Sequence, residues 1–474
     1  MECIGNSRVV RKRLFRIGRR VTIGLTAFGV ACSDDAGSRI AAPLGPELAK
    51  AGATGPSVKS TSPSYAHRDT TLDVHVLGTG FSAGAAASWS LGGDTTRVHV
   101  NRTTYVSSGE LIANVTVPAG APLAIYDVSV MLTSGKKGVG SELFEVTAAE
   151  PLLLSERVTD IGDQGGIVGG TTSGFYYDDA CGGVDLGSAE MWGVDPQGTV
   201  LAGRGYKTDA GLAVAWIRTG ACSFTRERLP NPGGAGGNAK SVARTGSGAI
   251  IVGGIDYKAG SKSAGTVGGP RPALWTRSGT TWLAPTLYST RNGFGEIWRI
   301  NGSAMAVGRS NEGGNPAELG YIWNSPTDYT VIDGLPFGIN EAGTVAVGHN
   351  FNGQVVYWTK NPSTGRWDAV GRLLPGADGA AAGGTAFDVN DVGIIVGRSG
   401  DRTKVKASVW RLDMLVYPPV PIGGVQLLSG LGPSVTSETS SGKAITNVPI
   451  DGYYVISGMA SESQTRAVRW RLPP

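Results

Sequence analysis

From about residue 155 to its end the chain keeps returning to one pattern: an apolar or aromatic strand, Asn or Asp, a turn carrying Gly, a β-branched run ending in Val-Gly, and a strand closing on Trp. The clearest copies run Phe337-Gly-Ile-Asn340-Glu-Ala-Gly343-Thr-Val-Ala-Val-Gly348 into Val-Val-Tyr-Trp358, and Phe387-Asp-Val-Asn390-Asp-Val-Gly393-Ile-Ile-Val-Gly397 into Ala-Ser-Val-Trp410. Internal repetition of this kind decides the architecture before any single residue does. The anchor glycines are Gly169, Gly203, Gly253, Gly308, Gly348, Gly397 and Gly458. Residues 151–474 divided among seven units give about 46 residues each, the size of a four-stranded propeller blade.

A Trp closes the following strand in six units, at Trp216, Trp275, Trp323, Trp358, Trp410 and Trp470, and Phe175-Tyr-Tyr177 stands in for it in the first. Asp195-Pro-Gln-Gly198, Asn340-Glu-Ala-Gly343 and Asn390-Asp-Val-Gly393 put Asn or Asp first and Gly fourth, as in a type I turn joining antiparallel strands. Asn301-Gly302 and Asp451-Gly452 suit shorter turns. Trp192, Trp298, Phe337 and Phe387 stand three residues before the turn's polar residue, and Val194, Ile300, Ile339 and Val389 one before it, so both sets share one strand face. This row reads as packing between neighbouring blades rather than as a binding surface. The last unit stops after Trp470 without an outer strand, which Pro151-Leu-Leu-Leu154 can supply to close the ring.

Residues 1–31 join seven basic side chains and one acid to an eleven-residue apolar run, Val21 to Ala31, before Cys32. The run is too short to span a bilayer and suits a signal peptide. It resembles a bacterial lipoprotein signal, which implies cleavage before Cys32 and lipid attachment there; Gly29 stands where that family usually has Leu. Residues 32–55, rich in Ala, Gly, Pro and Ser, read as a flexible tether. Without the leader the net charge falls from +4 by 6 to −2, which removes the electrostatic case for a nucleic-acid partner. In an oxidising compartment Cys181 and Cys222 are most simply a disulfide.

Residues 56–148 have another rhythm, with short alternating runs such as Leu72-Asp-Val-His-Val-Leu, Leu111-Ile-Ala-Asn-Val-Thr-Val and Tyr126-Asp-Val-Ser-Val-Met. They predict a small β-sandwich. With its Gly78-Thr-Gly80-Phe81 turn the segment resembles IPT/TIG domains, immunoglobulin-like modules that mostly serve as spacers or interaction domains. Gly80-Phe-Ser82-Ala-Gly84 imitates a nucleophile elbow, but that motif needs a following helix and the sequence heads into another strand. The repeat pattern of residues 151–474 resembles the extracellular HAF repeats and, at Gly169-Gly170 and Gly253-Gly254, kelch repeats. That resemblance implies an architecture and adds no catalytic residue.

The expected fold is therefore all-β: an immunoglobulin-like sandwich followed by a β-propeller of seven blades, six being the alternative. Chemistry is sparse. Of four histidines, His67, His75 and His99 fall in the sandwich, and His349 follows a Val-Gly anchor as a turn residue. Asp178-Asp179 beside Tyr176-Tyr177 is the best carboxylate cluster, read as solvated acids in a loop pinned by Cys181. No catalytic, cofactor or metal residue is assigned. The expectation is an exported, non-enzymatic protein, lipid-anchored at the bacterial outer membrane or cell surface, or facing the periplasm. It binds a glycan, peptide or protein partner through non-repeating insertions, notably residues 257–271, 310–319 and 376–384. A polysaccharide hydrolase or lyase and a purely structural surface component are the rivals.

Overall fold

The computed structural model describes residues 55–474 apart from 69, 119, 123, 148–149, 153–156, 210, 259–268, 312–317, 377–381, 401–404, 429–438 and 462–464. Cys32, the leader and nearly all of the tether lie outside the described residues, as does most of each of the three insertions named above.

Between Ser57 and Thr147 the chain forms two four-stranded sheets. One orders Ser57–Ser62, Thr70–Thr79, Glu110–Val117 and His99–Ser107; the other orders Tyr65–His67, Lys137–Thr147, Ile125–Met131 and Ala86–Ser90. Along Glu110–Val117 every second side chain is buried, as a sheet covered on one face requires. Leu111, Tyr126 and Phe144 fill the shared core, with Trp89 set edge-on to Phe144 at 5.6 Å. In the Gly78-Thr-Gly80-Phe81 turn a Cβ on Gly78 would lie 1.9 Å from the Ser57 carbonyl oxygen, and Phe81 is buried. Ser82 leads into the strand Ala86–Ser90, so it has no elbow helix behind it.

From Val158 onward seven antiparallel sheets follow in chain order. Their first strands are Val158–Ile161, Ala189–Val194, Gly234–Arg244, Glu296–Ile300, Gly334–Ile339, Gly384–Val389 and Thr439–Ile445. Each first strand packs against the first strand of the next sheet, and the seventh packs against the first, so the strands enclose a central channel. The architecture is a β-propeller. Its seventh sheet takes its outer strand from the N-terminal side: Glu150–Pro151 pairs with Thr465–Leu472, and the Leu152 amide donates to the Ala467 carbonyl at 3.0 Å. The closing segment read from the sequence thus pairs one residue earlier than expected, through Glu150 and Pro151.

The Val-Gly anchor has a structural duty that recurs in every sheet. Each first strand carries a one-residue bulge, and the anchor glycine on the second strand lies opposite the residue before it. There the first strand's backbone comes so close that a Cβ on Gly308, Gly348 or Gly397 would sit 1.9, 2.0 or 2.2 Å from a carbonyl oxygen. Only glycine admits that approach. In the third sheet the glycine in this position is Gly254, one residue after the expected Gly253. Two residues before each bulge glycine, the second strand pairs with the closing Trp, as in Ala346↔Trp358 and Ile395↔Trp410. In the first sheet Tyr177 holds this register, while its neighbour Tyr176 is the more deeply buried ring.

The turn acids and amides are buried because they accept the backbone amides of their own turns. Asn340 Oδ1 accepts from the Thr344 and Val345 amides at 2.8 and 2.9 Å, and Asp195 Oδ1 accepts from Thr199 and Val200 at 2.6 and 2.8 Å. His349 lies on the strand Val345–Asn350, not in the turn after it. Trp358 is fully buried, and its Nε1–H donates to Asp333 Oδ1 at 3.0 Å. Trp358→Ala should therefore cost about 3–5 kcal/mol, measured as a lower urea midpoint.

Candidate functional site

A bulge places two residues of one strand opposite a single partner and re-aims a side chain. In the seven first strands the bulged residues are Thr159, Trp192, Lys240, Trp298, Phe337, Phe387 and Lys443. Each is only partly buried although most residues flanking them in sequence are buried, and all seven line one cavity of about 400 Å³ at the channel. The aromatic row expected to pack between blades instead faces the channel, although its rings in sheets four to six still pack against one another across blades. Regular period-2 alternation puts Trp192, Trp298, Phe337 and Phe387 on the same face as Val194, Ile300, Ile339 and Val389; the intervening bulge separates the two sets. Those four aliphatics stay buried.

The ring has two kinds of arc. Sheets four to six contribute contiguous aromatics: Trp298 stacks on Phe337 at 4.5 Å with 6° between planes, and Phe337 meets Phe387 edgewise at 5.7 Å. The remaining arc mixes Lys443, Thr159, Trp192 and Lys240. Lys240 Nζ lies 4.7 Å from the Trp192 ring centre and pairs with Glu296 at 2.9 Å, and Glu296 also accepts from Arg309 at 2.5 Å. Lys443 Nζ lies 3.7 Å from the centre of Phe387. Among the wall atoms, Trp192 Nε1 and Asn238 Oδ1 are buried with no hydrogen-bond partner among the described residues.

Arg299, next after the bulge in the fourth sheet, spans the channel. It donates to Asp160 Oδ1 of the first sheet at 2.6 Å and to Asp388 Oδ2 of the sixth at 3.1 Å. The same acids accept backbone amides of the following sheets, Val194 to Asp160 and Ile445 to Asp388, each at 3.0 Å. Burial raises the Asp388 carboxyl to about 6 against the opposing pull of Arg299. Burial would lower Arg299, but the two carboxylates outweigh it and raise its pKa.

Carboxylates from different sheets thus converge on the channel, yet through a shared guanidinium. Glu296, the carboxylate on the cavity wall, is held below its ordinary range because Lys240 and Arg309 outweigh its burial. An acid needing a raised pKa is absent from this wall among the described residues.

Asp178 is tied down at a strand end rather than being a solvated loop acid, while Asp179 is exposed in the turn as expected. Asp178 accepts from Tyr176 Oη at 2.9 Å, Arg218 Nη2 at 3.1 Å and the Cys181 amide at 2.7 Å, and Asp179 accepts from Arg469 at 2.7 Å. Burial pushes Asp178 up, and these hydrogen bonds more than offset it, leaving the carboxyl below its usual value. Beside them Cys181 and Cys222 are joined in a disulfide with Cα atoms 5.5 Å apart, linking the outer hairpins of the first and second sheets. This cluster is a structural clip. No group of three or more His, Cys, Asp or Glu arranged to hold a metal occurs among the described residues.

Comparison with known proteins adds little. No family model matches the chain, and no curated protein matches it. Among solved structures it is similar to the β-propeller domain of the Trilobed protease from Pyrococcus furiosus, at 10% identity and a TM-score of 0.38 over 67% of this chain and 94% of that one. The acylaminoacyl peptidase of Pyrococcus horikoshii matches at 8% and 0.39 over 66% of this chain, which spans only 52% of the peptidase. The PQQ-bound aldose sugar dehydrogenase of Streptomyces coelicolor matches at 12% and 0.31 over 59% and 93%. These values carry no chemistry across, and the architecture rests on the sheet order above.

Lys443 sets a pH dependence. Burial, with added repulsion from Arg157 and Arg398, lowers its ammonium to about 7 from the 10.5 of a free lysine. Between those values the unfolded chain binds a proton that the folded chain does not, so stability rises with pH; below 7 both are protonated and the full penalty is felt. Lys443→Met should therefore stabilise by about 2 kcal/mol at pH 6 and by under about 1 kcal/mol at pH 9.5, read from urea midpoints.

Proposed function

We propose that the protein is a lipid-anchored cell-envelope component whose propeller binds a saccharide in the channel cavity without transforming it. The observation carrying this reading is the ring of seven bulged side chains around that cavity. A contiguous aromatic arc offers apolar surface to the C–H face of a sugar ring. Unpartnered Trp192 Nε1 and Asn238 Oδ1 add a donor and an acceptor, the combination of apolar wall and a few placed polar groups typical of small-ligand sites. Glu296 on the wall, and Asp160 and Asp388 below it, are each engaged by a cation, which favours recognition over acid–base catalysis. The sandwich is read as an IPT/TIG-type spacer, and Cys32 as the acylated residue that holds the whole at the outer membrane or cell surface.

On a glycan array the exported protein should retain at least one saccharide class. Trp298→Ala should weaken that binding at least tenfold with the urea midpoint moved by less than about 1 kcal/mol, as befits a side chain that is only partly buried. Turnover of a polysaccharide, lost in Glu296→Gln, would make the protein an enzyme and end the binding-only reading. For the anchor, Cys32→Ser should shift the protein from the membrane to the soluble fraction and abolish labelling with palmitate; unchanged labelling would refute lipid attachment at this residue.

A further inference from the structure

The charges around the cavity are not evenly answered. Its wall carries Arg157, Lys240, Arg299, Arg309 and Lys443 against Glu296 alone. Lys240 and Arg309 share Glu296, and Arg299 is held between Asp160 and Asp388. That leaves Arg157 and Lys443, on the first- and seventh-sheet side, with no carboxylate partner among the described residues. Arg398 adds a third cation nearby: its guanidinium carbon is 5.7 Å from the same Phe387 ring that Lys443 Nζ approaches to 3.7 Å.

We infer that this corner of the cavity, formed by Lys443 and Arg157 beside Phe387, is a carboxylate subsite, and that the ligand is an acidic saccharide of the uronate or sialate kind. The inference rests on the saccharide reading above and narrows it. Half-buried Lys443 without an acid is costly unless an anion joins it, because a desolvated ammonium loses its hydration and the exposed Arg157 and Arg398 add repulsion. Burial first, and repulsion from Arg157 and Arg398 after it, lower the proton affinity of Lys443. A carboxylate attached to a pyranose ring carries its charge at the ring edge, so the charge can meet Lys443 while the ring's C–H face lies along Phe387 and Phe337. A charge-assisted contact of this kind is also directional enough to fix which end of a saccharide enters first.

The test uses the intact exported protein at pH 6, where Lys443 is mostly charged and the uronate carboxyl ionised. Galacturonate, glucuronate, mannuronate and sialic acid oligosaccharides are each titrated beside their methyl esters and beside neutral sugars of the same length. At least one acid should bind ten times more tightly than its own ester. Lys443→Met should bring that pair to within twofold through loss of affinity for the acid, with a cooperative urea transition showing that the variant is folded. Equal or better binding of every ester, or a tenfold acid preference surviving in Lys443→Met, overturns the carboxylate subsite. Neutral sugars binding without any acid preference sink the subsite and leave the saccharide reading standing; no binding by any member of the panel sinks both.

Discussion

The close approach of backbone to backbone at the seven bulge glycines is the constraint on which the rest depends. Where Gly308 faces Glu296, or Gly348 faces Leu335, a Cβ would stand about 2 Å from a carbonyl oxygen, so any other residue forces the two strands apart. Held together, they leave one residue of the first strand unpaired. That residue turns to the channel while its neighbours remain in the core. One steric fact therefore sets the curvature of the inner hairpin, the separation of core from channel side chains, and the ring of seven that lines the cavity.

Below that ring, neighbouring sheets are stitched by the residue after the bulge. Asp160, Ser241 and Asp388 accept a backbone amide from the next sheet, at Val194, Ile300 and Ile445. Where the next strand comes closer still there is glycine: a Cβ on Gly193 would lie 2.9 Å from Ser241 Cα, and one on Gly338 at the same distance from Asp388 Cα. Of the other two, Ala444 is buried and apolar, and Arg299 is the plug, because its side chain reaches across the channel to both of those acids. Replacing it would leave two buried carboxylates without a cation, the arrangement that costs most in a protein interior. The turn face repeats the idea, with Glu341 accepting from Gly302, Asp391 from Ala342, and Asp163 from Asn447, each across a sheet boundary.

Much of this was legible in the sequence because it is carried by residue types with a single local use. Asn340 and Asn390 announce turns, Trp358 and Trp410 announce a buried third strand, and the closing strand near Pro151 follows from a final unit that lacks its own. The cavity was not legible for a specific reason. Period-2 reasoning assumes an unbroken ladder, and a bulge shifts the face of everything beyond it, so unbroken alternation puts Trp298 and Phe337 on the wrong side. Lys240, Lys443 and Thr159 occupy the same structural position but share no chemistry with the aromatics, so no residue pattern links them. The signal that was available is the anchor itself: a glycine recurring in mid-strand after a β-branched run marks a bulge on the strand it pairs with. Asp178 escaped for the opposite reason, since Arg218, which holds it, lies 40 residues away in the next sheet.

The bulged position also resolves an apparent conflict between repetition and specificity. A side chain in the core of a repeat must fit its neighbours in volume, and the turn residue must accept two amides, so both are tied to one or two residue types. A bulged side chain in an open channel answers neither demand. It can be Trp, Phe, Lys or Thr without disturbing the hairpin that presents it, because the backbone conformation is set by the glycine opposite and not by the side chain itself. A ring of such positions gives a propeller seven independently variable contacts on a rigid frame, and in this chain their variation is what divides the cavity into an aromatic arc and a cationic corner.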